Sequence, residues 1–189
     1  MKNLIAIALS IFLVLGTKAT VGPNYKDTEF RGIETATLPG LRPLGRDIVS
    51  LITRLQQSCD QIQALTGSTQ NPTCVEALDS AKFQCARITL RWALHAQKVA
   101  EAAKNILEGR PRGPLQDVNE ILSERTTITY VKGELAKCLG DNNVAKAREL
   151  WDGMWVGREA PHNGLASKMS EYVSRLPERP TTEQNPGRT

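Results

Sequence analysis

Apolar residues recur every three or four positions through most of this chain. Ile48, Ile52, Leu55, Cys59, Ile62 and Leu65 step by 4, 3, 4, 3 and 3. That is one stripe of an amphipathic helix, and it predicts a helix over 44–66 that Gly67 stops. Asn71 and Pro72 then supply an N-cap and a first helical residue. Leu78, Ala81, Cys85, Ile88, Trp92, Ala96, Val99, Ala103 and Ile106 carry a second stripe over 72–108. At 1.5 Å per residue such a helix spans roughly 55 Å, long for the chain, so a kink is expected. The run "GRPRGP" at 109–114 breaks it. A third helix is predicted over 115–139, with Leu115, Val118, Leu122, Ile128, Val131, Leu135 and Cys138 inward. Its segment "TTITYV" is β-branched and locally favours strand, but it is short and flanked by helical spacing. Two further helices follow, over 143–156 with Val144, Ala147, Leu150, Trp151 and Met154 inward, and over 165–176 with Leu165, Met169, Tyr172, Val173 and Leu176 inward. No strand pair and no internal repeat is visible. The fold class expected is all-α, a disulfide-stapled antiparallel bundle of four to five helices filling 44–176.

The flanks read differently. Met1 and Lys2 give a positive start, residues 4–16 are apolar, and "TKA" places small residues before a cut after Ala19. This is the layout of a secretory signal peptide; the apolar run is short of the roughly 20 residues that a membrane span needs. Residues 20–43 carry Gly22, Pro23, Gly32, Pro39, Gly40 and Pro43 without a sustained period, and are expected to form an extended N-terminal arm. The polar, Pro-rich residues 177–189 are expected to be a disordered tail.

Composition changes the picture only modestly. The chain has 189 residues, 24 basic and 20 acidic, and a pI near 9.0. Two of the lysines lie within 1–19, so the part beyond Ala19 holds 22 basic and 20 acidic residues. Charges alternate in sign along the predicted helices and read as solvated faces. No concentrated basic patch points to nucleic acid, and no membrane association is expected once the signal is removed.

All four cysteines, Cys59, Cys74, Cys85 and Cys138, lie beyond the signal, and an even count in an exported chain favours disulfides. Cys74 and Cys85 are eleven positions apart, three turns plus about 20°. They share the apolar face but stand roughly 16 Å apart along the axis, too far to share a metal. No Cys-x-x-Cys is present, and His95 and His162 have no partner at ligand spacing. The cysteines therefore read as staples. In a hairpin folded about 109–114, Cys85 and Cys138 stand equally far from the turn, which predicts a Cys85–Cys138 bridge. That leaves Cys59–Cys74, with a height mismatch of about 7 Å at the limit of disulfide geometry.

The order Cys, Cys, Phe83-Gln84-Cys85, then Glu124-Arg125 and Leu135-Ala136-Lys137-Cys138-Leu139-Gly140 resembles an insect secreted domain typified by the tsetse EP protein. The resemblance covers about 58–141. The family has further cysteines and a Tyr-rich run before the last block, where this chain has only Tyr130. The resemblance implies export into gut, haemolymph or reproductive secretions of an insect, and it implies no activity and no catalytic residue.

Catalytic motifs for acyl transfer, zinc hydrolysis, phosphate binding or dinucleotide binding are not found. His95 reads as a partly buried structural residue and His162, in "PHNG", as solvent-facing. Arg110 and Arg112 read as an exposed loop. Trp151 and Trp155 stand i, i+4 and share a face; with Trp92 they either cap the core or form a docking face or the wall of an apolar pocket. The function expected is that of a non-enzymatic secreted interaction protein, without cofactor or metal. Its partner would be a protein or a microbial surface component. The alternatives are a carrier of small apolar ligands in the bundle interior or a helical-bundle enzyme inhibitor, since "NPTC" is similar to the first helix of plant pectin-methylesterase and invertase inhibitors, although the later cysteine spacing differs.

Overall fold

The computed structural model describes residues 29–35, 38, 40–67, 69–115, 118, 121, 123–138, 140–157 and 159–178. The signal peptide expected at 1–19 and residues 179–189 of the expected tail lie outside them. The described residues form an all-α bundle stapled by two disulfides, as the periodicity predicts. Its elements are α1 (Gly32–Thr35), α2 (Arg42–Leu65), α3 (Pro72–Leu107), α4 (Arg125–Ala136), α5 (Asn142–Trp155) and α6 (Pro161–Ser174).

Local chemistry sets the helix starts. The Asn71 side chain accepts from the Thr73 amide at 3.1 Å, and Pro72 occupies the first turn of α3. Asp141 accepts from the Asn143 and Val144 amides at 2.8 and 3.2 Å and so caps α5. Each cap satisfies donors that have no partner inside the helix. At the far end of α3, Gly109 takes φ 77° and turns the chain out. The helix runs unbroken over its 36 residues, a length of roughly 54 Å.

Helix α3 is the axis of the molecule. Its stripe from Cys74 to Ile106 is buried, and α1, α2, α4, α5 and α6 all pack on it. Helix α2 runs antiparallel to it: Cys59 meets Cys85 and Thr89, while the N-terminal end of α2 meets α1, which in turn lies on Ala100. Helix α6 runs antiparallel to α2, with Gly164 against Leu51 and Lys168 paired to Asp47 at 2.8 Å. Helices α4 and α5 form a hairpin, with Lys132 paired to Asp152 at 2.9 Å and the Trp151 indole N–H donating to the Ile128 carbonyl at 3.2 Å.

Two expectations change. Phe30, Ile33, Leu38 and Leu41, from the stretch expected to be an extended arm, fold back onto the bundle and are buried. The four are too few and too interrupted by Gly and Pro to show a period; what holds them is the cleft between α2 and α3. Gly45 makes this possible, since a Cβ there would run into the Ile33 carbonyl. The same carbonyl accepts the Tyr172 hydroxyl at 3.4 Å, which ties α6 to α1. The third predicted helix, over 115–139, also differs. Residues 111–114 break the helix as "GRPRGP" predicts, but Leu115 is also non-helical, Val118, Ser123 and Glu124 lie in turns, and the continuous helix α4 begins at Arg125.

Candidate functional site

The bridges are Cys59–Cys85 and Cys74–Cys138, each with Cα atoms 5.7 Å apart. The expected pairing, Cys85–Cys138 with Cys59–Cys74, is therefore wrong, although all four cysteines do staple. Both errors have one cause. A helix advances 1.5 Å per residue, whereas extended chain advances about twice as far. The link from α2 to α3 is extended at Thr66 and Asn71 (ψ 139° and 117°). Helix α3 therefore starts roughly 10 Å beyond the end of α2, which brings its fourth turn, at Cys85, level with Cys59. Helix α4 likewise lies farther down α3 than a symmetric hairpin about 109–114 would place it. Cys138 arrives opposite Cys74, eleven residues from the expected Cys85.

The Cys59–Cys85 bridge is enclosed. The Thr89 hydroxyl lies 3.3 Å from Cys59 Sγ and, since a bridged sulfur carries no proton, it is the donor. Met154 Sδ lies 3.5 Å from Cys85 Sγ. The Cys74–Cys138 bridge lies at the edge instead. Both its cysteines line an open groove of ≈ 370 Å³ with Asn71, Lys137, Gly140 and Asp141.

Beside the enclosed bridge stands an aromatic cluster. Trp92, Trp151 and Trp155 are all buried, so they offer no docking face; they fill the core because α5 turns the shared side of Trp151 and Trp155 inward. Trp155 packs edge-on against Trp151 and His162 with ring centroids 5.5 and 5.3 Å apart. The Trp92 indole N–H donates to His162 Nδ1 at 3.0 Å, while the Trp155 indole N–H meets no acceptor among the described residues. His162, expected to face solvent, is 3% exposed. Pro161 starts α6 one residue before it, so "PHNG" is a first helical turn whose inner side carries the imidazole. Burial holds its pKa down at about 4, helped by Arg125 and opposed by Glu124. It is a neutral acceptor. His95 is also buried, on α3.

Glu124 enters the sequence reading only as part of the Glu124-Arg125 pair, with no role assigned to it. Its carboxylate is buried between Arg87 and Arg91 of α3: Arg87 Nη2 lies 2.5 Å from Oε2, and Arg91 holds Oε1. Burial alone would raise its pKa, but hydrogen bonds from the two guanidinium groups and from Thr127 outweigh that and lower it. The two arginines stand one turn apart on α3, which is the available signal, but nothing in the sequence says which acid they meet. Arg112 is not a free loop residue either: it donates to the Leu176 carbonyl at 3.3 Å. Arg110 pairs with Glu108.

Among the described residues Phe83, Leu94, Leu107, Tyr130 and Val156 are exposed large apolar side chains. Phe83 and Leu94 on α3 are 39% and 43% exposed and lie about 20° apart around the axis. A second groove, of ≈ 510 Å³, runs between α1 and the far end of α3, lined by Glu29, Gly32, Thr35, Gln97, Glu101 and Lys104 among others. Among the described residues no three His, Cys, Asp or Glu side chains group as a metal site would require, and no helix is long and apolar enough to cross a membrane. Compared with family models, curated proteins and solved structures, the chain matches none.

Proposed function

We propose that this chain is an exported, non-enzymatic binding protein whose stapled bundle presents a rigid surface to a protein partner. One observation carries the reading: the tryptophans and Tyr172 are spent on the interior while apolar side chains remain on the outer face of the central helix. Trp92, Trp151 and Tyr172 are fully buried, whereas Phe83 and Leu94 face solvent on a helix that two disulfides hold in place. Two bridges in one small domain are in keeping with an oxidising compartment, and so is the resemblance of the Phe83–Cys85 and Leu135–Gly140 blocks to an insect secreted domain. Gut, haemolymph or reproductive fluid of an insect is the setting this reading assigns. The carrier alternative loses what motivated it, because the α3 stripe and the tryptophans pack against each other and against α2, α5 and α6.

The test is retention from such a fluid on the immobilised chain, run beside a Phe83→Ser/Leu94→Ser double variant with unchanged circular dichroism. A protein held by the parent and released by the variant supports the reading. Equal retention by both, or retention of a polysaccharide in place of a protein, overturns it.

A further inference from the structure

The two bridges occupy different surroundings. We propose that Cys74–Cys138 is a site of thiol–disulfide exchange, opened by an external dithiol while Cys59–Cys85 stays closed. The first observation is access. Cys74 and Cys138 are only 3% and 7% exposed, but both line the open ≈ 370 Å³ groove at the end of the bundle, so a small thiol entering the groove meets a wall that the bridge itself forms. Cys59 and Cys85 lie mid-helix on α2 and α3, covered by Thr89 and Met154.

The second observation is polarity along the bridge. Cys74 is the third residue of α3, where the positive end of a helix stabilises a thiolate. Cys138 follows the C-terminal end of α4, with its amide bonded to the Leu135 carbonyl at 3.3 Å, and carbonyl ends destabilise a thiolate. Exchange favours departure of the less basic sulfur. The incoming thiolate therefore attacks Cys138 Sγ. The S–S bond breaks, its electron pair leaves on Cys74 Sγ, and a mixed disulfide forms at Cys138. The second thiolate of the reagent then attacks its own bridging sulfur and expels the Cys138 thiolate. The dithiol is oxidised to a disulfide, the protein bridge is reduced by two electrons, and water supplies the protons for the final thiols. Of the charged groups on the same groove, Lys137 is paired with Glu134 at 2.7 Å and the Asp141 carboxylate is engaged by the α5 amides.

Opening this bridge unties the first turn of α3 from the α4–α5 connection and leaves α2 pinned to α3. The experiment treats the folded, fully bridged chain with dithiothreitol, quenches with a maleimide at intervals and maps the labelled cysteines. Cys74 and Cys138 are expected to label at least about tenfold faster than Cys59 and Cys85, with helical circular dichroism retained and a rate that rises with the thiolate fraction of the reagent. Glutathione in a parallel sample is expected to leave its adduct on Cys138 and a free thiol on Cys74. Labelling of all four together, labelling of Cys59 and Cys85 first, or labelling only as the helical signal collapses overturns the proposal. An adduct on Cys74 overturns the assigned direction of attack.

Discussion

The Trp92 indole N–H donates to His162 Nδ1 at 3.0 Å inside the core, so the first turn of α6 is tied to the middle of α3 through an imidazole that must stay neutral. Protonation would replace the acceptor with a donor and leave two N–H groups facing each other.

Acid should therefore loosen the fold. The unfolded chain takes up a proton on His162 near the ordinary value of about 6.5, and the folded chain only near 4. The stabilising term is complete above the unfolded value and is lost as pH falls from there toward 4. Its full size is about 3 kcal/mol. Urea midpoints measured between neutrality and pH 4.5 should fall steadily in the parent chain. In His162→Gln the same interval should be markedly flatter; equal slopes would exclude His162 as the origin.

Removing Glu124 should expose the opposite balance. Glu124→Ala leaves the Arg87 and Arg91 guanidinium groups facing each other without the carboxylate. Both side chains keep about a third of their surface, so they can rehydrate, and the cost should be about 1–3 kcal/mol. Because the folded carboxyl titrates below its ordinary range, its contribution is present above the unfolded value and disappears as pH drops through the folded one. Thermal melts of parent and variant should differ at pH 7 and draw together as pH falls below the ordinary carboxylate range.

Close approach at Gly45 gives a third test. Gly45→Ala drives a methyl group into the Ile33 carbonyl and should destabilise by about 1–3 kcal/mol despite alanine's better helix propensity. Gly133→Ala, in α4 with open space around it, should be neutral or slightly stabilising. Denaturant unfolding of the two variants side by side separates packing from propensity.

Non-reducing peptide mapping should join Cys59 to Cys85 and Cys74 to Cys138. These close loops with sequence separations of 26 and 64, each stabilising by about 4 kcal/mol in the chain-entropy picture. Cys59→Ala/Cys85→Ala should cost more than Cys74→Ala/Cys138→Ala although its loop is shorter, because its sulfurs are packed by Met154 and the core. Equal melting temperatures for the two double variants would contradict that.

How far could the residues alone lead? The spacing of Ile48 to Leu65 and of Leu78 to Ile106, with Asn71, Pro72 and Gly109, is enough to place α2 and α3 and to turn Cys59, Cys74 and Cys85 inward, since 100° per residue is a local property of one helix. The pairing of those cysteines was decided elsewhere. It depends on how far each connection carries the next helix along its neighbour, and that distance is set by tertiary packing. The seat of Glu124 between Arg87 and Arg91 and the docking of Phe30, Ile33, Leu38 and Leu41 are likewise decided by which segments packing brings together. Rotation about a helix axis is written in the chain; translation between helices is fixed only when their side chains meet.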